Sequence, residues 1–347
     1  MFEAVIALCL LAAPETCRDA LLPGFEAATL EGCATLLAEA PPDLAERFPD
    51  LSTGTPTCQP AGLAAEVSDA GPGVFVHLGR ISDAAPGNAG DVANSGFVIG
   101  NTSVAVIDSG GSRLAGEALW RAIRARTALP VSHVILTHMH PDHVLGASVF
   151  AEAGAEVVGH AGLPRALADR AETYLANFGD RIGAPAFLGT RIVLPDRAVA
   201  EPAEIDLGGR TLRLAPWPNA HTATDLTVGD PASGILFTGD LVFDIHTPSL
   251  DGSVLGWQAV LGEMQALPYA RIVPGHGGPV LDWPQGAENL ARYLGVLVAD
   301  TRAAIAGGLS LGEAAETVAR SEAGHWQLFE LFNPRNATVA FTELEWE

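Results

Sequence analysis

The stretch THMHPDHVLG, Thr137 to Gly146, places three histidines and an aspartate within six residues. It follows the apolar run VSHVILT, which has the length and the β-branched residues of a buried strand. His138 and His140 are two residues apart on an extended strand end, so their side chains point to the same side. Neutral imidazole is a favoured zinc ligand, and two imidazoles from one short segment bind a metal ion with little ordering cost. The stretch therefore predicts a metal site at the end of this strand.

Asp142 and His143, past the turn at Pro141, can face a second metal ion, and paired ions of this kind lie roughly 3.5–4 Å apart. One cluster supplies only part of two coordination spheres. Suitable side chains follow three later apolar strands: His221 after TLRLAPW, Asp240 at the end of GILFTGD, and His276 in IVPGHGGP. A lone histidine after a strand is more often a loop or core residue. Strand ends that meet at one edge of an α/β sheet, however, are where sites are usually built.

Composition excludes several classes of protein. Hydrophobic residues make up 48% of the 347 residues and charged residues 17%, so a sizeable core can be buried. The formal net charge is −22, which repels phosphate backbones and argues against a nucleic-acid partner. All basic residues are arginines, and the absence of lysine removes Schiff-base chemistry and the lysine of a phosphate-binding loop. A nucleotide-driven kinase or ATPase is therefore disfavoured.

The N-terminus suggests export. Residues 1–16 contain an apolar run, Ala4 to Ala13, of the length of a signal peptide's hydrophobic region, followed by small residues. The run is too short to span a bilayer as a mature helix, so no stable membrane span is expected after processing. Glu3 is atypical of a signal peptide, and a short buried helix is the alternative. In this interpretation Cys9 leaves with the signal, and Cys17–Cys33 is the first choice for a disulfide in an oxidising compartment.

The rest of the chain is predicted as a segment and one main domain. Residues 17–62 form a cysteine-containing segment with helical patches, ending in FPDLSTGTPTCQPAG, which has the turn residues of a linker. Residues 63–347 form the main domain, in which short strands alternate with helices, among them SRLAGEALWRAIRART with Ser112 as the N-cap. Helices that separate the strands can cover both outer faces of a sheet pair. The sequence therefore predicts an α/β sandwich with a small N-terminal appended segment.

The motifs THMHPDH, HTATD, FTGD and PGHG, taken together and in this order, resemble the successive metal-binding motifs of the metallo-β-lactamase superfamily. The resemblance implies a four-layer αββα sandwich with a metal site at one edge. It assigns His138, His140 and His221 to one zinc ion. It assigns Asp142, His143 and His276 to the other, with Asp240 bridging both.

Such a site implies a binuclear zinc hydrolase that uses a metal-bound hydroxide to cleave an ester, thioester, lactone or amide bond. Asp142 is the expected orienter of the nucleophile, in addition to being a ligand. Thr137, Thr222 and Asp225 are candidates to orient the imidazoles, although each is equally an ordinary strand-end polar residue. His246, six residues after Asp240, lies on a loop expected to border the site and is a candidate for substrate binding; a surface loop histidine is the alternative.

Two stretches indicate a narrower group. LVFDIHTPSLDGSVLGWQAVL and NATVAFTELEWE resemble the exported SoxH-type hydrolases and, more closely, the group called quinoprotein relay system zinc metallohydrolases. This resemblance implies a periplasmic protein that acts on a small-molecule substrate. It also implies an association with a pyrroloquinoline quinone (PQQ) dehydrogenase system, through a quinoprotein dehydrogenase or cytochrome partner.

Other functions on the same scaffold stay open at this stage. A persulfide dioxygenase-like enzyme would hold a single iron ion with two histidines and an aspartate, and ligand type alone rarely fixes the metal. A nuclease is disfavoured by the acidic charge and the lack of lysine. A non-catalytic metal-binding maturation factor for a quinoprotein partner would keep the fold without turnover.

Overall fold

The N-terminal unit is a four-stranded sheet with helices beside it, in a computed structural model that describes residues 1–347. Strand β1 lies between β2 on one side and β3 and β4 on the other, and all three pair with it antiparallel. Thr29 caps the first helix by accepting a hydrogen bond from the backbone N–H of Gly32. The elements of this unit are β1 (Phe2–Leu10), β2 (Cys17–Ala27), α1 (Leu30–Glu39), α2 (Leu44–Arg47), β3 (Leu51–Thr53) and β4 (Thr57–Pro60).

The apolar run predicted as part of an export signal contributes residues 4–10 to strand β1, so it is extended here and not the short buried helix given as the alternative; its removal as a signal peptide stays a prediction. The atypical Glu3 is fully buried, where it accepts hydrogen bonds from Arg121 at 2.8 and 2.9 Å and from the backbone N–H of Gly62 at 3.1 Å. A short apolar run fits both interpretations, because a buried strand and the hydrophobic region of a signal peptide are both rich in apolar residues. No helix of the protein combines the length and apolar character that a membrane span requires.

The predicted disulfide Cys17–Cys33 is wrong. The structure joins Cys9 to Cys17 and Cys33 to Cys58, and no free cysteine is left. Cys9 and Cys17 are register partners on β1 and β2, so strand pairing itself brings them together. The stretch 48–62, predicted as a linker, contains β3 and β4, which complete the sheet around β1. The domain boundary near residue 63 stays a prediction.

A seven-stranded sheet forms the first half of the main domain, in the order β11-β10-β9-β8-β7-β6-β5. Strands β8 to β11 are parallel, and the strands from β5 to β8 form an antiparallel meander. The strands are β5 (Ser68–Gly71), β6 (Val74–His77), β7 (Ser95–Ile99), β8 (Val104–Ile107), β9 (Val131–Leu136), β10 (Glu156–His160) and β11 (Arg197–Val199).

A six-stranded sheet in the order β12-β13-β14-β15-β16-β17 forms the second half. All its neighbours are antiparallel except β15 and β16. The strands are β12 (Ala203–Asp206), β13 (Thr211–Pro216), β14 (Leu226–Asp230), β15 (Ile235–Phe243), β16 (Arg271–His276) and β17 (Leu281–Asp282).

Helices cover the outer face of each sheet. Ser112 accepts a hydrogen bond from the backbone N–H of Ala115 and caps α3, as predicted. The stretch after the histidines forms two short helices separated near Gly146, where a Cβ would clash with the carbonyl oxygen of Ser109. The helices are α3 (Arg113–Arg124), α4 (Pro141–Val144), α5 (Ser148–Glu152), α6 (Leu163–Ile182), α7 (Val254–Met264), α8 (Glu288–Ala306), α9 (Leu311–Thr317) and α10 (Phe329–Leu344).

Three layers of buried apolar side chains hold these elements together. Between the sheets, residues such as Val98 and Ile107 of the first sheet pack with Leu212 and Phe237 of the second. One outer layer lies under α3, α5 and α6, and the other lies under α7, α8 and α10. The order helix, sheet, sheet, helix confirms the predicted αββα sandwich, with burial of the strands on both faces explaining their continuous apolar runs.

A buried ion network attaches the N-terminal unit to the sandwich. The fully buried Arg113 donates to both oxygens of Glu152, at 2.6 and 2.8 Å, and to the carbonyl oxygen of Leu21 on β2, at 2.9 Å. Glu117 accepts from Arg113 at 3.1 Å and from Arg18 of β2 at 3.0 Å through each of two nitrogens. Because buried charges need partners, this network fixes where the unit sits on α3 and α5.

Candidate metal centre

Seven side chains from both sheets converge at one edge of the sandwich. The loop and helix after β9 provide His138, His140, Asp142 and His143, as the sequence predicted. The second sheet provides the other three: His221 before β14, Asp240 within β15 and His276 at the end of β16. The pairing of β15 with β16 is irregular around Gly239, and such an irregularity re-aims a side chain. A Cβ at Gly239 would lie 2.6 Å from the hydroxyl of Thr137, so glycine lets the two sheets approach at this point.

Four of these side chains form a first group. The Nε2 of His221 lies 3.0 Å from the Nδ1 of His140 and 3.4 Å from the Oδ2 of Asp240. The Nε2 of His138 lies 3.6 Å from the same carboxylate oxygen. The potential ligand atoms of this group all lie within 4.8 Å of one another. That spacing fits donors arranged around one ion.

Asp142, His143 and His276 form a second group, also with all ligand atoms within 4.8 Å. The Nε2 of His276 lies 3.3 Å from the Oδ2 of Asp142, and the Nε2 of His143 lies 3.9 Å from that oxygen. Asp240 reaches this group as well, with Oδ1 3.1 Å from His143 and Oδ2 3.4 Å from His276. Its carboxylate therefore lies between the two groups, where a bridging ligand would lie.

The donor set fits metal ions better than it fits an ion-free core. Buried polar atoms are nearly always hydrogen-bonded, yet the Nε2 atoms of His138 and His143 and the Oδ1 of Asp240 are buried without a hydrogen-bond partner. The Nε2 of His143 lies 3.1 Å from the Oδ1 of Asp240, and the Nε2 of His138 lies 3.6 Å from the Oδ2 of the same carboxylate. Imidazole nitrogens and carboxylate oxygens of this kind are zinc ligands, and metal coordination would satisfy all three atoms at once.

Each of the five histidines has its other ring nitrogen occupied by a second partner. The Nδ1 atoms of His143, His221 and His276 lie 2.8, 2.6 and 3.0 Å from the Oδ2 of Asp108, the carbonyl oxygen of Ser249 and that of Val92. A carbonyl or carboxylate oxygen accepts here, so Nδ1 donates and Nε2 is the ring atom that faces the site. The Nδ1 of His138 lies 3.0 Å from the hydroxyl of Thr137, and the Nε2 of His140 lies 3.3 Å from Asp251. Such partners orient metal-binding imidazoles.

Asp108 is the residue at this site that the sequence interpretation missed. It accepts hydrogen bonds from the backbone N–H and the hydroxyl of Thr137, both at 2.8 Å, besides the bond from His143. Its φ is +57°, a backbone conformation that non-glycine residues adopt mainly where the surroundings require it. It follows the apolar strand β8, and an acid that ends an apolar strand is the same signal that singled out Asp240.

The structure also places the other polar candidates. Thr137 orients His138 directly. Asp225 accepts from the backbone N–H of Thr222 at 2.9 Å and from its hydroxyl at 2.7 Å, which shapes the loop after His221 without contact to an imidazole. Burial raises the pKa of Asp225 to about 7.

Neighbouring carboxylates and imidazoles within the site shift one another's pKa values. Burial opposes charge on His143, but the carboxylates of Asp240, Asp108 and Asp142 outweigh it and raise its pKa well above the usual range. Burial likewise opposes ionisation of Asp142, but His143 and His276 lower its pKa. The pKa of His138 is lowered by its burial and by the neighbouring imidazoles. The site therefore favours ionised carboxylates, which is the state that binds a cation.

A cavity of about 220 Å³ opens onto the two groups. His246, predicted at the border of the site, lines it and is buried. Its ring centroid lies 4.8 Å from that of His276 and 4.7 Å from that of Phe332. Burial, with the neighbouring charge of His276, lowers the pKa of His246 to about 4, so its ring is neutral near pH 7. Its role in substrate binding stays a prediction.

The two stretches that suggested a narrower group contact each other beside the site. Asn336 of α10 accepts from the backbone N–H of Leu250 at 2.9 Å and donates to the carbonyl oxygen of Pro248 at 2.6 Å. Glu343 of the same helix accepts from the hydroxyl of Ser253 at 2.6 Å and from the backbone N–H of Val254 at 2.7 Å. Helix α10 thus fixes the loop whose Ser249 carbonyl orients His221.

Comparisons with known proteins agree with this geometry. Residues 89–276 match the family model described as the metallo-beta-lactamase superfamily. No curated protein sequence matches the chain. Among solved structures, a metallo-beta-lactamase from Pontibacter korlensis is 23% identical, with a TM-score of 0.53 over 66% of this chain and 98% of its own. TMB-1 is 19% identical, with a TM-score of 0.52 over 67% of this chain and 97% of its own.

A third structure extends over more of the chain. The stereoselective inverting sec-alkylsulfatase Pisa1 from Pseudomonas sp. is 16% identical, with a TM-score of 0.62 over 81% of this chain and 50% of its own. At these identities the likeness shows the fold. The family model covers more than half of the chain and includes all seven converging side chains. The chain therefore belongs to the metallo-beta-lactamase superfamily and is one of its metal-dependent hydrolases.

Proposed function

We propose that this protein is a binuclear zinc hydrolase that cleaves an ester, thioester, lactone or amide bond of a small molecule. One observation carries the proposal: two complete groups of ligand atoms share Asp240, and three of those atoms are buried without a hydrogen-bond partner. A mononuclear iron site would use one such group and leave the second unexplained.

His138, His140 and His221 would hold one zinc ion, Asp142, His143 and His276 the other, and Asp240 both. When bound, the ions supply an acidified water molecule and an electrophile for the carbonyl oxygen of the substrate. Asp142 lies at the cavity surface, and its side chain is 16% exposed, so it can accept a hydrogen bond from the attacking water and orient it. Asp108 and the carbonyl oxygens of Ser249 and Val92 keep the imidazoles in place while charge develops.

Metal content tests the proposal most directly. Protein purified without chelators should contain about two zinc ions per chain by elemental mass spectrometry. His140→Ala and His143→Ala should each lower the content, since they remove a ligand from different groups. His325→Ala is the matched control, because His325 is exposed and lies outside the site.

The outcomes separate the alternatives. One iron ion per chain would replace the hydrolase with dioxygen chemistry, and well-folded protein without metal would overturn the proposal. Zinc-loaded protein should then be screened against ester, thioester, lactone and amide substrates, with an alkyl sulfate included because one structural neighbour is named an alkylsulfatase. Two zinc ions without turnover of any substrate would favour a non-catalytic maturation factor.

We also propose that the protein works in the periplasm beside a quinoprotein dehydrogenase system. Two disulfides in one short segment support an oxidising compartment. The quinoprotein association rests on the resemblance of residues 241–261 and 336–347 described above. Fractionation of the producing cells tests the compartment. PQQ-dependent alcohol oxidation in a clean deletion strain tests the association, and unchanged oxidation would contradict it.

A further inference from the structure

Arg335 of α10 lines the cavity over the metal groups without an acidic partner. Thirteen of the 19 arginines have a carboxylate oxygen within 4.0 Å, and Arg335, which is exposed, is one of the six that have none. Arg181, the other arginine of the cavity, pairs with Asp83 at 2.6 Å. The cavity thus offers one unpaired positive charge.

Successive side-chain contacts connect Arg335 to the metal groups. Its guanidinium lies 5.8 Å from the ring centroid of Phe332, which holds it by a cation–π contact. Phe332 contacts His246, and His246 contacts His276, at centroid distances of 4.7 and 4.8 Å. Arg335 therefore lies at the far end of an aromatic wall that begins at a predicted metal ligand.

Helix α6 also lines this cavity. Phe178 adds apolar surface, Asn177 adds an amide, and Tyr174 adds a hydroxyl that burial keeps protonated by raising its pKa. The cavity is therefore lined by aromatic side chains, by predicted metal ligands and by the cationic Arg335. In a chain with a net charge of −22, the long-range field repels anions, so binding an anion requires such a local charge.

We propose that the substrate carries a carboxylate, separate from the bond that is cleaved, and that Arg335 binds it while Phe332 and Phe178 enclose an apolar arm. The inference rests on the proposed hydrolase function and names its substrate class. A guanidinium binds a carboxylate through two parallel hydrogen bonds, which fixes direction as well as affinity. The carboxylate would thereby orient the scissile carbonyl toward the metal groups.

Matched esters test this inference. The 4-nitrophenyl half-esters of adipic, pimelic and suberic acids have a free carboxylate, and the corresponding 4-nitrophenyl methyl diesters are neutral at the same length. Zinc-loaded wild type should favour the half-ester, with an optimum at one length. Arg335→Gln should lower kcat/KM for the half-esters by about 10- to 100-fold and change it less than about 2-fold for the neutral diesters. Arg335→Lys should have a kcat/KM for the half-esters between those of wild type and Arg335→Gln.

Arg165→Gln is the matched control, because Arg165 is exposed and lies outside the cavity while the net charge changes equally. It should behave as wild type toward both ester series. Equal kcat/KM for half-esters and diesters in wild type, or an unchanged preference in Arg335→Gln, would overturn the carboxylate subsite. Hydrolysis of the neutral esters in that case would leave the proposed function standing.

Binding without turnover decides the subsite if no ester is cleaved. Calorimetric titration of the zinc-loaded protein with monomethyl adipate should give an affinity about 10-fold or more weaker in Arg335→Gln than in wild type or Arg165→Gln. Equal affinity in all three would show that the carboxylate does not contact Arg335. Weaker binding in Arg335→Gln with no cleavage of any ester would retain the subsite and restrict the proposed hydrolase to thioester, lactone or amide substrates.

Discussion

At the scale of single residues, Asp108 decides which nitrogen of His143 faces the site. Its two oxygens accept three hydrogen bonds, two from Thr137 and one from His143. A carboxylate can only accept, so the ring must donate from Nδ1 and turn Nε2 toward the site. The left-handed backbone of Asp108 is the local cost of placing the carboxylate there.

Replacement of this carboxylate by its amide should weaken metal binding. In Asp108→Asn an N–H₂ group must face either the backbone N–H of Thr137 or the Nδ1 of His143, and both are donors. Loss of such a partner typically lowers metal affinity about 10- to 100-fold. Competition with a chromophoric chelator measures it. Asp180→Asn, at an exposed position on α6, is the control, and equal affinity in both variants would refute the role of Asp108.

The carboxyl group of Glu26 makes the stability of the folded protein depend on pH. Burial raises its pKa, although Trp120 donates to it at 2.6 Å. The folded state therefore retains the proton to higher pH than the unfolded chain, so stability falls as pH rises from about 4.5 through the folded pKa. Glu26→Gln removes this loss and keeps an acceptor for Trp120.

Urea unfolding at pH 8 should show a higher free energy of unfolding for Glu26→Gln than for wild type, and the difference should shrink toward pH 4.5. Glu172→Gln, an exposed position on α6, should follow wild type at both pH values. A difference that does not depend on pH would contradict the assignment to Glu26.

At the scale of elements, helix α10 acts on the site without touching a predicted ligand. Asn336 forms hydrogen bonds with the backbone of the loop from Pro248 to Leu250. An apolar side chain at this position would leave those backbone groups without partners. It also donates to the hydroxyl of Tyr293 on α8 at 2.8 Å. The helix therefore links the outer layer of the sandwich to the loop beside His221.

Asn336→Leu should destabilise the protein by about 3 kcal/mol, because it leaves buried backbone groups without partners. It should also weaken metal binding, since Ser249 lies on the released loop. Asn333→Leu is a matched control: Asn333 is buried on the same helix and bonds Tyr293 and Val318, but not this loop. Thermal unfolding should show losses in both variants, and chelator competition should show weaker binding in Asn336→Leu alone.

At the scale of the whole molecule, the sandwich and the N-terminal unit meet through charges as well as apolar contacts. Arg113→Met leaves Glu152 and Glu117 buried with less compensation and should cost about 3–5 kcal/mol. The double variant Arg113→Met/Glu152→Met also removes the less compensated charge of Glu152 and should be more stable than the single variant. Denaturant unfolding checks the order, and a double variant less stable than Arg113→Met would show that the network contributes more than charge compensation.

Part of this architecture could be predicted from the sequence and part could not. The seven converging side chains lie at or after the ends of apolar strands, and such ends meet at one edge of the sandwich. Their convergence could therefore be predicted from the order of strands along the chain. Asp108 carries the same signal, but its role depends on a contact across two strands that spacing does not reveal. Strand β1 has the composition of the hydrophobic region of a signal peptide, because both are short apolar segments. Composition alone therefore does not distinguish them. The disulfides depend on strand register, since Cys9 and Cys17 are partners only once β1 and β2 have paired.

The pattern of these disulfides has a consequence for biosynthesis. The first cysteine is joined to the second and the third to the fourth, at separations of 8 and 25 residues, so the two loops do not interleave. A chain that enters an oxidising compartment with its N-terminus first would expose the cysteines in pairs, each complete before the next begins. Pairing in order of arrival gives both native bridges. For such a chain, an oxidase that joins successive thiols would be sufficient to form both bridges.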